Sequence, residues 1–231
     1  MLFSSVSISC HDGCNKHFEV GDFFDIIYVL LNVVGASCMR TDRIRKNYRK
    51  KVEEGICNGK LNTGNVLNQE LSLQKPANTR WGTHYKTLLR IIEFFSCIIE
   101  YIEYIQDEDV DNIKRRQANG LLKYFHTFDF AFYLQLMLHI LGFADILSQA
   151  LQRRDQDILN VMSLVASTKR EVHNLRDDGW DDFLAKVCSF SEQNNMEMLI
   201  KDEEFVNLHN QLASLQGGLL LQCLRYATSS V

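Results

Sequence analysis

Hydrophobic positions along this chain recur at steps of three and four, and no sustained step of two is found. That spacing is produced by helices that bury one face, and it argues against a β-sheet core. Residues 22–38 read as a helix apolar almost all round, with Asp22 placed to cap its start. Residues 39–54 continue as a basic amphipathic helix, in which Ile44, Tyr48 and Val52 fall on one face at spacings of four. Gly55, Gly59 and Gly64, set among Asn58, Asn62, Asn65 and Asn68, mark 55–78 as a long loop. After Trp81 comes the clearest helix: Tyr85, Leu88, Ile92, Phe95, Ile99 and Ile102 form a seam suited to bundle packing. An acidic turn at Asp107–Asp111 precedes further helical patterns near 111–126, 128–153, 155–176, 180–194 and 202–212. Thr127 and Asp155 stand where caps are needed. The expected fold class is all-α, a helical bundle of about seven helices.

Composition narrows this picture. One proline, Pro76, in 231 residues leaves long helices uninterrupted. Apolar residues at 46% and charged residues at 23% are what a globular protein with one sizeable core carries. The net charge of -4 exerts no global pull on nucleic acid, so any such contact needs a local patch. Seven cysteines is an odd number, and Cys38, Cys97 and Cys188 sit inside apolar helix patterns. They read as buried reduced thiols, which points to a reducing intracellular compartment, nuclear or cytoplasmic. Cys10, His11, Cys14 and His17 cluster, but too tightly for a zinc knuckle and with no second ligand pair at finger spacing. Neither a metal nor a cofactor is expected. Met1–Cys10 lacks the basic start and the small-residue cleavage site of a signal peptide. Phe23–Val34, interrupted by Asp25 and Asn32, is too short to span a bilayer, so no membrane association is expected.

Two features carry candidate chemistry. Thr79-Arg80-Trp81 stands between the loop and the longest helix. An indole there can stack on a base while the guanidinium of Arg80 takes a phosphate; the plain alternative for Trp81 is a buried anchor at a helix start. The second feature is the run Arg40, Arg43, Arg45, Lys46, Arg49, Lys50 and Lys51, seven cations in twelve residues. It is suited to several phosphates with steep salt dependence; the plain alternative is a solvated helix face.

The wording around Trp81 is more specific than the pair itself. Asn68-Gln69-Glu70, Ser72-Leu73, Pro76 and Thr79-Arg80-Trp81-Gly82-Thr83-His84-Tyr85-Lys86-Thr87-Leu88 resemble a stretch of plant hAT-type transposase-like proteins. Those proteins are described as similar to zinc finger MYM-type protein 1 or as TTF-type zinc finger proteins. The resemblance continues through Gly35-Ala36-Ser37-Cys38, Phe128-Asp129-Phe130, Ile140-Leu141-Gly142 and the run from Leu147 to Ile158, and covers roughly residues 17 to 206. Residues 1–16 and 212–231 depart from the family's wording and read as sequence joined on at a splice or gene-model boundary. Residues 17–211 then form the helical domain, with the loop at 55–78.

The resemblance implies a ribonuclease H-like transposase whose catalytic domain is interrupted by a helical insertion, and it places this chain within the insertion. Three carboxylates in such enzymes hold divalent metal for strand cleavage. None carries over here: Asp22, Asp25, Asp129 and Asp155 have simpler roles as caps or helix surface. No enzymatic activity is expected. The Arg-Trp pair does carry over, onto Arg80 and Trp81, where the resemblance implies support of an unstacked base at a DNA end. A zinc finger for sequence-specific binding and the family's dimerisation region find no counterpart in this sequence. The expectation is a truncated, inactive transposase-derived protein with residual DNA binding through Arg80, Trp81 and the basic run. Two other readings are a helical module that binds protein partners through its faces and an intact metal nuclease, for which the carboxylate set is missing.

Overall fold

The computed structural model describes residues 18–35, 42, 44, 46–50, 81–108, 111–151 and 158–197, and among them the chain is all helical. Helix α1 spans Phe18–Gly35. Asp42, Ile44 and residues 46–50 belong to α2. Helix α3 spans Trp81–Glu108, α4 Asn112–Phe125, α5 Phe128–Leu151, α6 Ile158–Asp177 and α7 Trp180–Gln193. The all-α expectation holds. The loop at 55–78, the helix at 202–212, the cap at Asp155, Cys38, the cluster Cys10–His17 and the segments 1–16 and 212–231 lie outside the described residues.

The chain divides into two compact units: residues 1–24, 76–86 and 126–231, and residues 25–75 and 87–125. Helices α1 and α3 contribute residues to both. In the first unit α5 packs on α6 and α7, which also pack on each other. Helix α5 is buried almost all round over Phe130–Leu134 and Leu136–Leu138, then narrows to a stripe at Leu141, Ala144 and Leu147. Phe183 and Val187, four apart on α7, are fully buried in this unit. The ring of Phe183 meets Phe132 edge-on at 5.7 Å between centroids and stacks with Trp180 at 5.7 Å.

The helix ends explain why these segments stop where they do. Phe130 N–H donates to Thr127 Oγ1 at 3.3 Å, the cap expected for α5. At the start of α4, Asp111 Oδ1 accepts from Ile113 N–H at 2.9 Å. Gly179 joins α6 to α7, and there a Cβ would lie 3.2 Å from the Leu175 Cα. That is backbone, which cannot swing aside. Helix α7 closes with a six-to-one bond from Met196 N–H to Ser191 O at 2.9 Å, through Asn195 at φ 51. Met196 is buried, the apolar contact that accompanies such a close.

Two expectations need correction. Asp22 does not cap α1; it is an exposed residue inside the helix, which starts at Phe18. Apolar Val20 and Phe23 carry the periodicity back past it. On α3 the buried line is Leu88, Ile91, Phe94, Phe95, Ile98, Tyr101, Ile102 and Ile105, while Ile92 and Ile99 are half-buried. More than half the circumference of α3 is apolar, so periodicity alone could not fix the centre of its stripe. Phe128–Ala150 has the length and mean hydropathy, 1.7, of a membrane span, yet 61% of its apolar window is buried in the protein. It is the core helix of the first unit.

Candidate nucleic-acid interface

Of the basic run, Lys46, Arg49 and Lys50 are described and all three are exposed; Arg40, Arg43, Arg45 and Lys51 lie outside the described residues. Helical geometry sorts α2 into two faces. Ile44 and Tyr48, four apart, point inward: Ile44 is buried and the Tyr48 ring stands edge-on to Phe94 of α3 at 4.4 Å. Burial, followed by the nearby Glu93 carboxylate, pushes the Tyr48 phenol above its ordinary pKa, so it stays neutral. Positions 46, 49 and 50 fall on the opposite side of the helix, within about 100° of one another. Asp42 is exposed on the same side and subtracts one charge from the stripe. The seam expected at Ile44 and Tyr48 is therefore present, and it turns three cations to solvent.

Arg80 lies outside the described residues, as does the side chain of Trp81, whose backbone opens α3. The residues that follow it fix this start of the helix within the first unit. His84 meets the Phe24 ring edge-on at 5.8 Å, and its burial lowers the imidazole pKa, keeping it neutral near pH 7. Tyr85 lies over Gly142 of α5: a Cβ at 142 would stand 3.3 Å from Tyr85 Cε2. Glycine at 142 gives the phenol ring room to approach the backbone of α5. His84 and Tyr85 are thus packing residues. Trp81 belongs to the first unit and the cations of α2 to the second.

Asp25 and Asp129 are exposed helix residues, and Asp129 sits in the first turn of α5, where the helix dipole favours a carboxylate. Among the described residues no three His, Cys, Asp or Glu side chains gather as metal ligands would. His139 is sandwiched near Phe143 and Phe183, with ring centroids at 6.1 and 6.0 Å; burial first, then the Lys186 charge, lowers its pKa. Cys97 is a buried thiol and Cys188 a half-buried one, with desolvation and Glu192 raising the pKa of Cys188.

One surface was not anticipated. Asn112, Arg115, Arg116 and Asn119 line an open groove with Gln106, of about 410 Å³. The signal lay in the spacing: 112, 115, 116 and 119 are i, i+3, i+4 and i+7, one polar face of α4 opposite buried Ala118, Leu121, Leu122 and Phe125. No known family model matches this chain. No solved structure matches it either.

Proposed function

We propose that this chain is a DNA-contacting, non-catalytic segment derived from the helical insertion of an hAT-type transposase, working in the nucleus. The observation that carries the reading is the exposed stripe of Lys46, Arg49 and Lys50 on the face of α2 opposite buried Ile44 and half-buried Tyr48. Such a stripe takes phosphates without reading sequence, and its affinity falls steeply with salt. The motif wording around Trp81 supports the second half of the reading. Trp81 stacks on a base already unpaired at a distorted DNA end, a contact worth roughly 1–3 kcal/mol, and Arg80 takes the adjoining phosphate. These contacts hold DNA; strand cleavage would need metal-binding carboxylates that the motif match does not supply.

The test is a set of binding titrations with labelled duplex, hairpin and single-stranded DNA between 50 and 200 mM salt, a range over which phosphate contacts lose about tenfold or more. Replacing Lys46, Arg49 and Lys50 together by Ala should weaken all three DNAs alike and flatten the salt slope. Trp81→Ala should weaken hairpin and single-stranded DNA more than duplex. Salt-independent or absent binding would sink the reading. It would leave a helical protein-binding module, for which Ile113, Ile146 and Met162, each more than half exposed, are the supporting observation.

A further inference from the structure

The groove beside α4 has a lining of unusual uniformity. Among the described residues the lining is Gln106, Asn112, Arg115, Arg116 and Asn119, two guanidinium groups and three carboxamides with no carboxylate and no apolar side chain. Every one of them can donate hydrogen bonds, and the two arginines cannot lose their charge. The nearest acid in sequence to the lining of α4 is Asp111, which is already committed. Its Oδ1 accepts from Ile113 N–H at 2.9 Å, and its Oδ2 lies 3.4 Å from Lys114 Nζ. Lys114 therefore offsets that charge, and the arginines are left to face an incoming anion.

Arg115 is held in place from behind. Its Nε donates to the Gln106 carbonyl at 2.9 Å, near the C-terminal end of α3. One donor of the fork is used for positioning, and among the described residues no partner takes the terminal NH₂ groups. A guanidinium fixed in this way loses less side-chain freedom on binding than a free one. Arg116 follows directly on the same face of the helix. Two adjacent guanidiniums flanked by amide donors match the tetrahedral oxygens of a phosphate, which arginine engages with paired hydrogen bonds.

We propose that this groove is a phosphate-binding site, built from Arg115 and Arg116 with Gln106, Asn112 and Asn119. The phosphate belongs either to a nucleic-acid backbone or to a small phosphorylated molecule. The site stands on residues separate from Lys46, Arg49, Lys50 and Trp81, and it does not require them to bind DNA. It shares a unit with α2, and both flank α3. Phe94, where α2 rests, and Gln106 are twelve residues apart, about 18 Å along that helix. That is on the order of five nucleotides along one strand of a duplex at 3.4 Å each.

The experiment has two arms, each run on the full chain and on Arg116→Ala and Arg116→Lys. Arg116 is chosen because Arg115 also ties α4 to α3, so its loss could act through the fold. In the first arm, inorganic phosphate is titrated while arginine Nε–Hε and backbone amide shifts are followed by NMR. In the second, a labelled twenty-residue oligothymidylate is titrated by fluorescence anisotropy at several salt concentrations. Phosphate should shift the signals of Arg115, Arg116 and Asn119, and Arg116→Ala should weaken it about three- to tenfold. Arg116→Lys should recover only part of this, because an ammonium cannot bind two oxygens in a fork. If the backbone is the ligand, Arg116→Ala should also reduce the oligonucleotide salt slope by about 0.7, while the α2 triple variant lowers it independently. Phosphate binding with an unchanged oligonucleotide slope assigns the site to a small phosphorylated molecule. Unmoved groove signals in both arms, with α4 intact by its amide shifts, would overturn the proposal whatever the α2 variant does.

Discussion

Phe183→Ala is the sharpest test of how the first unit is held together. The side chain is 1% exposed and touches three rings: Phe132 edge-on at 5.7 Å, Trp180 stacked at 5.7 Å and His139 edge-on at 6.0 Å. Burying a phenylalanine contributes about 1.5–3 kcal/mol by transfer alone, and the hole left by truncation raises the cost to about 3–5 kcal/mol. The surroundings cannot easily close that hole. Phe132 is itself fully buried on α5, and planar rings shift less readily than methionines. The expected loss is therefore about 4 kcal/mol, of which the pairs with Phe132 and Trp180 supply about 1–3 kcal/mol. Measured against a total stability of roughly 5–15 kcal/mol, this is enough to loosen α7 from α5. The assay is urea unfolding followed by Trp180 fluorescence, in a Trp81→Phe background that leaves one indole. A midpoint shift worth less than about 1 kcal/mol would refute the packing described, because a loss that small is typical of side chains outside the core.

Three more outcomes are expected. His84 and His139 have folded pKa values below the ordinary 6.5, so the unfolded chain binds protons more readily. Their contribution to stability is complete above 6.5 and declines as pH falls from there toward the lowered folded values. Replacing His84 by Phe and His139 by Gln should flatten the stability profile between pH 7.5 and 5.5, and an unchanged slope would reassign it to the carboxylates. Ser191 is buried and its Oγ has no hydrogen-bond partner among the described residues. Ser191→Ala should leave stability unchanged or raise it by up to about 1–3 kcal/mol, and a loss in a thermal melt would reveal a bonded hydroxyl. Thr127→Ala removes the cap on α5 and should cost about 0.5–2 kcal/mol, whereas Thr127→Ser should cost little; equal losses in urea unfolding would mean that the hydroxyl contributes nothing.

The fold class was legible because it depends on local periodicity. Spacings of three and four recur along the described helices, and Thr127 marks a helix start that needs only its own hydroxyl and the N–H of Phe130. The inward pair Ile44 and Tyr48 was legible for the same reason. Asp22 misled because a capping residue is also tolerated on an exposed helix face, and only apolar contacts beyond it decide where the helix begins. The stripe of α3 was misjudged by a fraction of a turn because the helix offers apolar residues on more than half its surface, and neighbours select which of them are buried. His84 and Tyr85 look, in sequence, like part of a binding motif. Their approach to Phe24 and Gly142 makes them packing residues, and that approach spans tens of residues of chain. The groove of Arg115 and Arg116 needed both levels. The sequence put four polar residues on one face of α4 at helical spacing, but the turn at Asp111 had to bring that face beside Gln106 before they lined one site. Periodicity is a property of neighbours along the chain, whereas a site is a property of side chains that folding carries together from different elements.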